Sequence, residues 1–245
     1  MRSCSPPSSR SVTAVWRGFA ATPVLVSLTA MSLAAQQEVP LTNLPVAAPG
    51  VGLPDDWTLR QTRAAPAPLF AVTAEHALRV EARASAGFAL FELAHRLPEA
   101  PGVLRWRWRT STPIPAADLR RQPADDSPAR AVVAFADRRT LFYSWGNRDT
   151  IGTAFPSWTG RSRIVIVLRE ATEADGAWRL ECRDPFGDYR RAFTREPPPI
   201  VAVGMSADTE QLGAATWAEI ADLSWWPAPS DRDSADQDRP PLCSQ

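Results

Sequence analysis

Between residues 103 and 109 the chain alternates large apolar and basic side chains, in the order Val-Leu-Arg-Trp-Arg-Trp-Arg. Successive side chains of a β-strand point to opposite faces, so Leu104, Trp106 and Trp108 share one face of the predicted strand. Because two tryptophans are costly to leave in water, we expect that face to be buried. The opposite face then carries three arginines, Arg105, Arg107 and Arg109. The segment predicts a sheet with one dry face and one charged face, and the charged face must meet solvent, acidic partners or a ligand.

Length and charge narrow the class of protein further. The chain has 245 residues, of which 44% are hydrophobic and 22% charged, as in a soluble globular protein with one β-rich domain. The formal net charge is zero and the sequence pI is about 6.7. No overall basic field therefore exists to attract nucleic acid, and we expect no nucleic-acid partner.

The first 35 residues have the pattern of a secretory signal peptide. Three arginines precede an apolar stretch from Phe19 to Ala35 that ends in small residues. Pro23 and several small polar residues argue against a retained membrane anchor. No later apolar run approaches the length of a membrane span. We expect an exported protein, periplasmic or secreted, that does not stay in the membrane after cleavage.

The remaining chain predicts one domain with flanking segments. Residues 36–50 read as an extended, proline-punctuated lead-in, residues 51–226 as the domain, and residues 227–245 as a disordered tail. Inside the domain the hydrophobic period is mostly two. The predicted strands are residues 57–61, 69–73, 77–84, 88–94, 103–110, 130–136, 140–145, 163–169, 177–184, 199–207 and 217–225. Helical turns are expected at 116–121 and 185–192. Short strands without a long helical period predict an all-β fold, a monomeric antiparallel β-sandwich of the jelly-roll type.

Seven short blocks occur along the domain in a recognisable order. They are 53–57 (Leu-Pro-Asp-Asp-Trp), 104–108 (Leu-Arg-Trp-Arg-Trp), 125–130, 143–146, 178–184, 188–193 and 198–200. In this series the chain resembles a bacterial family known as domain of unknown function 3047. The resemblance implies an exported single-domain protein and no known activity.

The chain departs from the family pattern at residues 208–213. The family typically carries Asp-Thr-Asp-Asn-Thr-Gly, whereas this chain has Asp-Thr-Glu-Gln-Leu-Gly. The change removes the compact set of oxygen ligands that suits calcium, so we expect no metal and no cofactor. Residues 219–226 look like the closing strand of carbohydrate-binding jelly rolls. That likeness implies a fold similar to carbohydrate-binding modules, but a shared fold does not decide function.

Two polar groups are expected beside the arginines of residues 103–109. Asp125, Asp126 and Arg130 form one, and bidentate pairing would let it recruit Arg105 or Arg107. Such a surface suits a ligand rich in carboxylates or hydroxyls. The alternative is that the same ion pairs satisfy one another beneath a loop and bind nothing.

The second group comes from residues 178–183. Arg179, Glu181 and Arg183 alternate there with three apolar or weakly polar residues, Trp178, Leu180 and Cys182. With the apolar set buried, Glu181 and Arg183 would lie on the charged face, where Glu181 would balance the arginines. Trp145 lies in a glycine-containing segment and is a candidate ring for stacking on a sugar. The alternative is that this ring closes one end of the sandwich.

The sequence therefore predicts a non-catalytic module that binds a carbohydrate or another polar ligand. The expected ligand-binding residues are Arg105, Arg107, Asp125, Asp126, Arg130, Trp145, Glu181 and Arg183. One alternative is a carbohydrate-active hydrolase or lyase, with Glu181 and either Asp125 or Asp126 as the two carboxyl groups across a cleft. Arginine neighbours should lower the pKa values of these carboxyl groups, which suits a nucleophile better than a general acid. The other alternative is a structural envelope protein whose charged face is an internal lattice of ion pairs.

Overall fold

The computed structural model describes residues 38–41, 44, 50–61, 65–93 and 102–227. They belong to one compact unit, residues 35–245. The predicted signal peptide, most of the predicted lead-in and residues 228–245 lie outside the described residues.

The described residues form fourteen strands and one α-helix. The strands are β1 (Val39–Pro40), β2 (Gly50–Val51), β3 (Trp57–Gln61), β4 (Leu69–Val72), β5 (Leu78–Arg83), β6 (Ala86–Glu92), β7 (Gly102–Arg109), β8 (Ser127–Phe135), β9 (Thr140–Trp145), β10 (Ala154–Ser157), β11 (Gly160–Arg169), β12 (Arg179–Arg183), β13 (Ile200–Asp208) and β14 (Ala215–Pro227). The helix α1 spans Pro185–Phe193, and short 3-10 helices cover Gln122–Ala124 and Ala171–Glu173.

Two seven-stranded sheets pack face to face. Sheet A has the order β12-β7-β14-β5-β4-β2, with β1 paired to β14. Sheet B has the order β10-β11-β9-β8-β13-β6-β3. The chain crosses repeatedly between the two sheets, which confirms the predicted β-sandwich of jelly-roll type. The strand pairs are antiparallel except for β9 and β11, which run parallel.

All eleven predicted strands are present, with ends that shift by up to three residues. The sequence did not reveal the two-residue strands β1 and β2. It also did not reveal β10, an edge strand that contains Pro156, because proline weakens a strand pattern and is tolerated at sheet edges. The helical turn predicted at 185–192 is α1. The one predicted at 116–121 is wrong, and the nearest helix is the 3-10 turn at Gln122–Ala124. No helix among the described residues is long and apolar enough to cross a membrane.

The core confirms the predicted dry face of β7. Trp106 and Trp108 have no exposed surface. The ring centre of Trp106 lies 5.4 Å from that of Tyr143, and the ring centre of Trp108 lies 5.3 Å from that of Trp145. Tyr143 and Trp145 belong to β9 of sheet B, so these aromatic contacts join the two sheets.

A second apolar layer covers the outer face of sheet B. Val132, Phe142 and Val165 lie on adjacent strands and are almost fully buried, together with Leu119 from the preceding loop. The loop is tied down because Asp149 accepts a hydrogen bond from the backbone N–H of Leu119. Sheet B is therefore covered on both faces over part of its area, whereas the outer face of sheet A carries charged side chains.

Strand β14 contains a bulge opposite the arginines of β7. Ala221 pairs with Arg107, but the next paired residue is Ser224, opposite Arg105. Asp222 occupies the bulge with φ of 55°, in the left-handed region that aspartate tolerates better than most residues. The extra residue sets which side chains of β14 meet the arginines.

Candidate functional site

The outer face of sheet A is built from alternate residues of three neighbouring strands. Strand β5 contributes Arg79, β14 contributes Glu219, and β7 contributes Arg109, all in one row across the sheet. Arg79 donates to Glu219 Oε1 at 2.9 Å, and Arg109 donates to Glu219 Oε2 at 2.7 Å. The Glu219 side chain is only 3% exposed. One carboxylate therefore holds two guanidinium groups of the charged face.

Hydrogen bonds to carboxylates also stabilise the charged form of the arginines. The pKa of Arg79 is raised although burial opposes its charge, because Glu219 and Glu81 accept hydrogen bonds from its guanidinium. Glu75 adds a second carboxylate to Arg109 at 3.2 Å. Arg107 donates to Asp222, the bulge residue, at 2.5 Å. Most of the charged face is a lattice of ion pairs.

Two partly exposed tryptophans lie within this lattice. The guanidinium carbons of Arg107 and Arg109 lie 4.4 and 4.5 Å from the ring centre of Trp178. The guanidinium carbon of Arg79 lies 4.4 Å from the ring centre of Trp217. These are cation–π distances, so the arginines are held by stacking as well as by ion pairs.

Two grooves open on this face. One, of about 480 Å³, includes Leu69, Arg79, Glu81, Arg83 and Trp217 in its lining, and we call it the Trp217 groove. The other, of about 420 Å³, is lined by Glu38, Pro40, Arg105, Arg107, Leu180, Asp222, Leu223 and Ser224, and we call it the Arg105 groove. Predicted site residues line only the second, namely Arg105 and Arg107.

The structure contradicts the predicted orientation of β12. This strand does pair with β7, but Glu181 stands opposite Trp106 and Arg183 opposite Leu104, so both face the core side. Leu180 lies on the outer face and is 50% exposed. Glu181 therefore does not balance the arginines of β7. Arg107 and Arg109 pair with residues of β14 instead.

Glu181 has partners inside the sandwich. Its Oε1 accepts hydrogen bonds from Trp108 Nε1 at 2.9 Å and from Arg169 Nε at 2.5 Å. Burial raises its pKa, and Arg169 opposes that rise only in part. This is opposite to the lowered pKa expected from the sequence, because desolvation outweighs the single nearby arginine.

Arg183 also forms its hydrogen bonds on the core side of β12. It donates to both carboxylate oxygens of Asp188 at 2.7 and 3.0 Å, and Asp188 is 3% exposed. Tyr143 donates to the same carboxylate at 2.8 Å. Because Asp188 lies in α1, this network fastens the helix to the end of the sandwich. The prediction that Arg183 lies on the ligand-binding face is wrong.

Trp145 is a core residue, contrary to the expectation of a loop ring that stacks on sugar. It has no exposed surface and its Nε1 donates to the carbonyl of Glu170. The strand β9 extends to this position, so the side chain continues the inward alternation of Leu141 and Tyr143. The exposed tryptophan of this region is Trp158, in the β10–β11 turn.

Asp125, Asp126 and Arg130 form a cluster away from the arginines of β7. Arg130 donates to the carbonyl of Asp125 at 2.6 Å and to Asp208 at 2.9 Å. Asp126 accepts from the backbone N–H groups of two residues in the turn at 209–213. The predicted recruitment of Arg105 or Arg107 is therefore wrong, and the ion-pair partner of Arg130 is Asp208.

Burial dominates the electrostatics of this cluster. It raises the pKa of Asp125 to about 6 against the opposing charge of Arg130, and Asp208 and Asp126 add smaller contributions in the raising direction. Burial also raises the pKa of Asp126, against the stabilising backbone N–H groups. One oxygen each of Asp125 and Asp208, and the Nε of Arg130, are buried without a hydrogen-bond partner among the described residues.

The geometry gives the hydrolase alternative little support. Glu181 faces the interior from β12 of sheet A, whereas Asp125 and Asp126 precede β8 of sheet B and hold a turn. None of the three lines either groove. Among the described residues no group of three or more His, Cys, Asp or Glu side chains could hold a metal ion.

Trp217, Glu219 and Ser224 were not among the predicted site residues. A signal for Glu219 was present, because the period of two in residues 215–221 places Trp217 and Glu219 on one face. The position of Ser224 depends on the bulge at Asp222, which no such period reveals.

Comparison of the sequence with family models settles the relationship expected from its motifs. The model of the family described as Protein of unknown function (DUF3047) matches residues 63–224. The chain belongs to this family. No curated protein matches the chain in sequence.

Solved structures of similar shape are distant in sequence. The xyloglucanase domain of NopAA from Sinorhizobium fredii, in complex with cellobiose, is 10% identical with a TM-score of 0.44, covering 74% of this chain and 97% of that one. The family 11 carbohydrate-binding module of Lic26A-Cel5E from Clostridium thermocellum is 9% identical with a TM-score of 0.37, covering 74% and 97%. A β-1,2-glucanase from Parabacteroides distasonis is 11% identical with a TM-score of 0.39, covering 71% of this chain. The chain spans only 23% of that enzyme.

The shared carboxylate of Glu219 should matter more than any other acid on this face. We expect Glu219→Gln to lower the free energy of unfolding by about 2–3 kcal/mol, because it leaves two partly buried guanidinium groups without their common anion. Glu81→Gln makes the same chemical change at an exposed partner of Arg79 and should cost about 0.5 kcal/mol or less. Urea denaturation of both variants measures the difference, and equal losses would contradict it.

Asp125 should make stability fall as pH rises. Its folded-state pKa is about 6 against an ordinary value of 3.8 for an aspartate, so its favourable contribution is complete below the unfolded pKa and lost as pH rises through 6. Relative to Asp125→Asn, the wild type should lose on the order of 2–3 kcal/mol between pH 4 and pH 7.5. Urea denaturation at both pH values tests this.

The control for that measurement is Asp137→Asn. The pKa of Asp137 is lowered, by hydrogen bonds from Tyr189 and Arg139 against a desolvation that opposes them, so its contribution is lost only as pH falls. The wild type should not lose stability relative to Asp137→Asn as pH rises from 4 to 7.5. A similar loss relative to both variants would show that Asp125 is not responsible.

Proposed function

We propose that the protein is a non-catalytic module that binds a carbohydrate, or another polar ligand of similar shape, on the outer face of sheet A. The observation that carries the proposal is the Trp217 groove. It combines a partly exposed tryptophan ring with exposed hydrogen-bonding groups on a rigid sheet. Sites built on strands hold their side chains more firmly than sites built on loops.

The chemistry of this groove suits a sugar. The ring of Trp217 offers an apolar surface for the C–H face of a pyranose, while Glu81 supplies acceptors and Arg83 supplies donors for its hydroxyl groups. Leu69 is 63% exposed and provides an apolar side wall. Arg79 already stacks on Trp217 and is fixed by Glu219, so that part of the groove is organised before any ligand arrives.

The centre of the ion-pair lattice supports the alternative of a structural protein that binds no ligand. Arg79, Arg107 and Arg109 are paired within the protein, as a structural envelope protein without a ligand would require. The two grooves lie beside this lattice and favour the binding function instead. A carbohydrate-binding assay distinguishes the binding module from the structural alternative, because a purely structural protein binds no carbohydrate.

We also propose that the protein is exported to the periplasm or beyond, on the basis of the signal-peptide pattern in residues 1–35. Full-length protein expressed in a Gram-negative host should appear in the periplasmic fraction or the medium, with a mature N-terminus near residue 35. Mass spectrometry of the intact protein measures this. Uncleaved protein in the cytoplasm would contradict export.

Binding should depend on Trp217 and not on another exposed ring. A glycan array should show selective binding by the wild type, and Trp217→Ala should weaken that binding by about tenfold or more, since stacking of an aromatic ring contributes on the order of 1–2 kcal/mol. Trp158→Ala removes an exposed tryptophan from the β10–β11 turn and should leave binding unchanged. Absence of binding to every glycan, or equal loss in both variants, would overturn the proposal.

A further inference from the structure

We propose that the Arg105 groove receives an oxyanionic substituent, a carboxylate or a sulfate, so that the ligand of this face is an acidic polysaccharide. The inference rests on the proposed binding function and specifies its ligand class. It is carried by Arg105, by Ser224 opposite it on β14, and by the groove that both residues line.

Arg105 differs from the other arginines of its row. Arg107 and Arg109, which follow it on the same face of β7, each have a carboxylate partner. Arg105 forms no ion pair with any of the residues that the structure describes. Its guanidinium carbon lies 5.9 Å from the ring centre of Trp226. Its fork of N–H donors is therefore available in the groove.

The residue opposite Arg105 adds another available donor. Ser224 pairs with Arg105 across the sheet and is only 3% exposed. Its hydroxyl has no hydrogen-bond partner within the described part of the chain. A buried hydroxyl without a partner costs about 1–3 kcal/mol, so a ligand oxygen that reached it would recover that cost. The indole N–H of Trp226 is likewise buried without a partner in the described ranges.

Arg105 and Ser224 both line the groove and can both donate a hydrogen bond, so the pair suits an anion. A guanidinium binds a carboxylate or sulfate through two parallel hydrogen bonds, which a neutral hydroxyl cannot accept in the same way. Two carboxylates also line the groove. Asp222 is engaged by Arg107, whereas Glu38 has no ion-pair partner among the described residues. Glu38 should oppose an anion, so its removal should strengthen binding.

The two grooves can serve one extended ligand. Trp217 and Ser224 lie on the same strand, and seven residues of strand span roughly 20 Å. A monosaccharide cannot reach from one groove to the other. A linear polymer can stack on Trp217 and place a charged substituent at Arg105, which predicts that affinity rises with chain length as well as with charge.

The test compares one polymer with and without its charge. Isothermal titration calorimetry at low salt should show that the full-length protein binds polygalacturonate about tenfold or more tightly than the fully methyl-esterified polymer. Arg105→Gln should reduce that preference to about one, and Arg105→Lys, which keeps the charge but not the fork, should retain only part of it. Glu38→Gln should increase the affinity for polygalacturonate severalfold. Arg161→Gln removes an exposed arginine from β11 and should change nothing.

Dextran sulfate and unmodified dextran form the second arm and distinguish sulfate from carboxylate as the source of the anion. A preference for either charged polymer that disappears in Arg105→Gln supports the inference. Equal affinity for the charged and neutral forms of both polymers, or a preference that Arg105→Gln retains, overturns it. If charged and neutral polymers bind equally well and Trp217→Ala abolishes that binding, the proposed function stands while this inference fails. If no glycan binds at all, both fail.

Discussion

The contact between the tryptophans of β7 and the aromatic residues of β9 holds the two sheets together. Trp106 packs on Tyr143 and Trp108 on Trp145, and none of the four has exposed surface. Burial of each such ring contributes about 2–3 kcal/mol, and each aromatic pair adds about 0.5–1.5 kcal/mol. Because side chains alternate along a strand, fixing these rings inward also fixes every other residue of β7 and β9 outward.

The charged face follows from that constraint. With the tryptophans inward, the arginines of β7 must point away from the core, where the neighbouring strands decide what they meet. The central position of β14, between β7 and β5, brings Glu219 within reach of arginines on both sides. The balance of charge is therefore local to sheet A. It does not involve the acidic cluster around Asp125 and Asp126, which holds a turn beside sheet B.

The strands could be predicted from the sequence to a greater extent than the site could. In residues 103–109 all the large apolar side chains fall on one face, so the orientation was unambiguous. In residues 178–183 the same rule failed. Trp178 precedes the strand and lies under the arginines, and Leu180 points outward. Glu181 can point inward because Trp108 and Arg169 supply its hydrogen bonds.

Partners outside the strand also explain why Arg183 and Trp145 lie where the sequence did not predict them. Arg183 is satisfied by Asp188 of the next helix, and Trp145 by the carbonyl of Glu170. Alternation of side chains predicts which residues share a face, but it does not predict which polar groups will find partners after the sheets have packed. For β7, the prediction of which side chains face the core was correct. The prediction of which acidic residues pair with its arginines was wrong, because those partners lie on the adjacent strand β14.

Because of the bulge at Asp222, the number of residues in β14 matters as much as their identity. Before the bulge, Trp217, Glu219 and Ala221 point outward. After it, Ser224 points outward, and Leu223 and Trp225 are buried. If Asp222 continued the regular alternation instead of forming the bulge, the second half of the strand would reverse its faces, so that Leu223 would stand at the surface and Ser224 in the core. The bulge thus allows β14 to meet two requirements, with Glu219 between two arginines in its first half and Ser224 beside Arg105, which has no ion pair among the described residues, in its second.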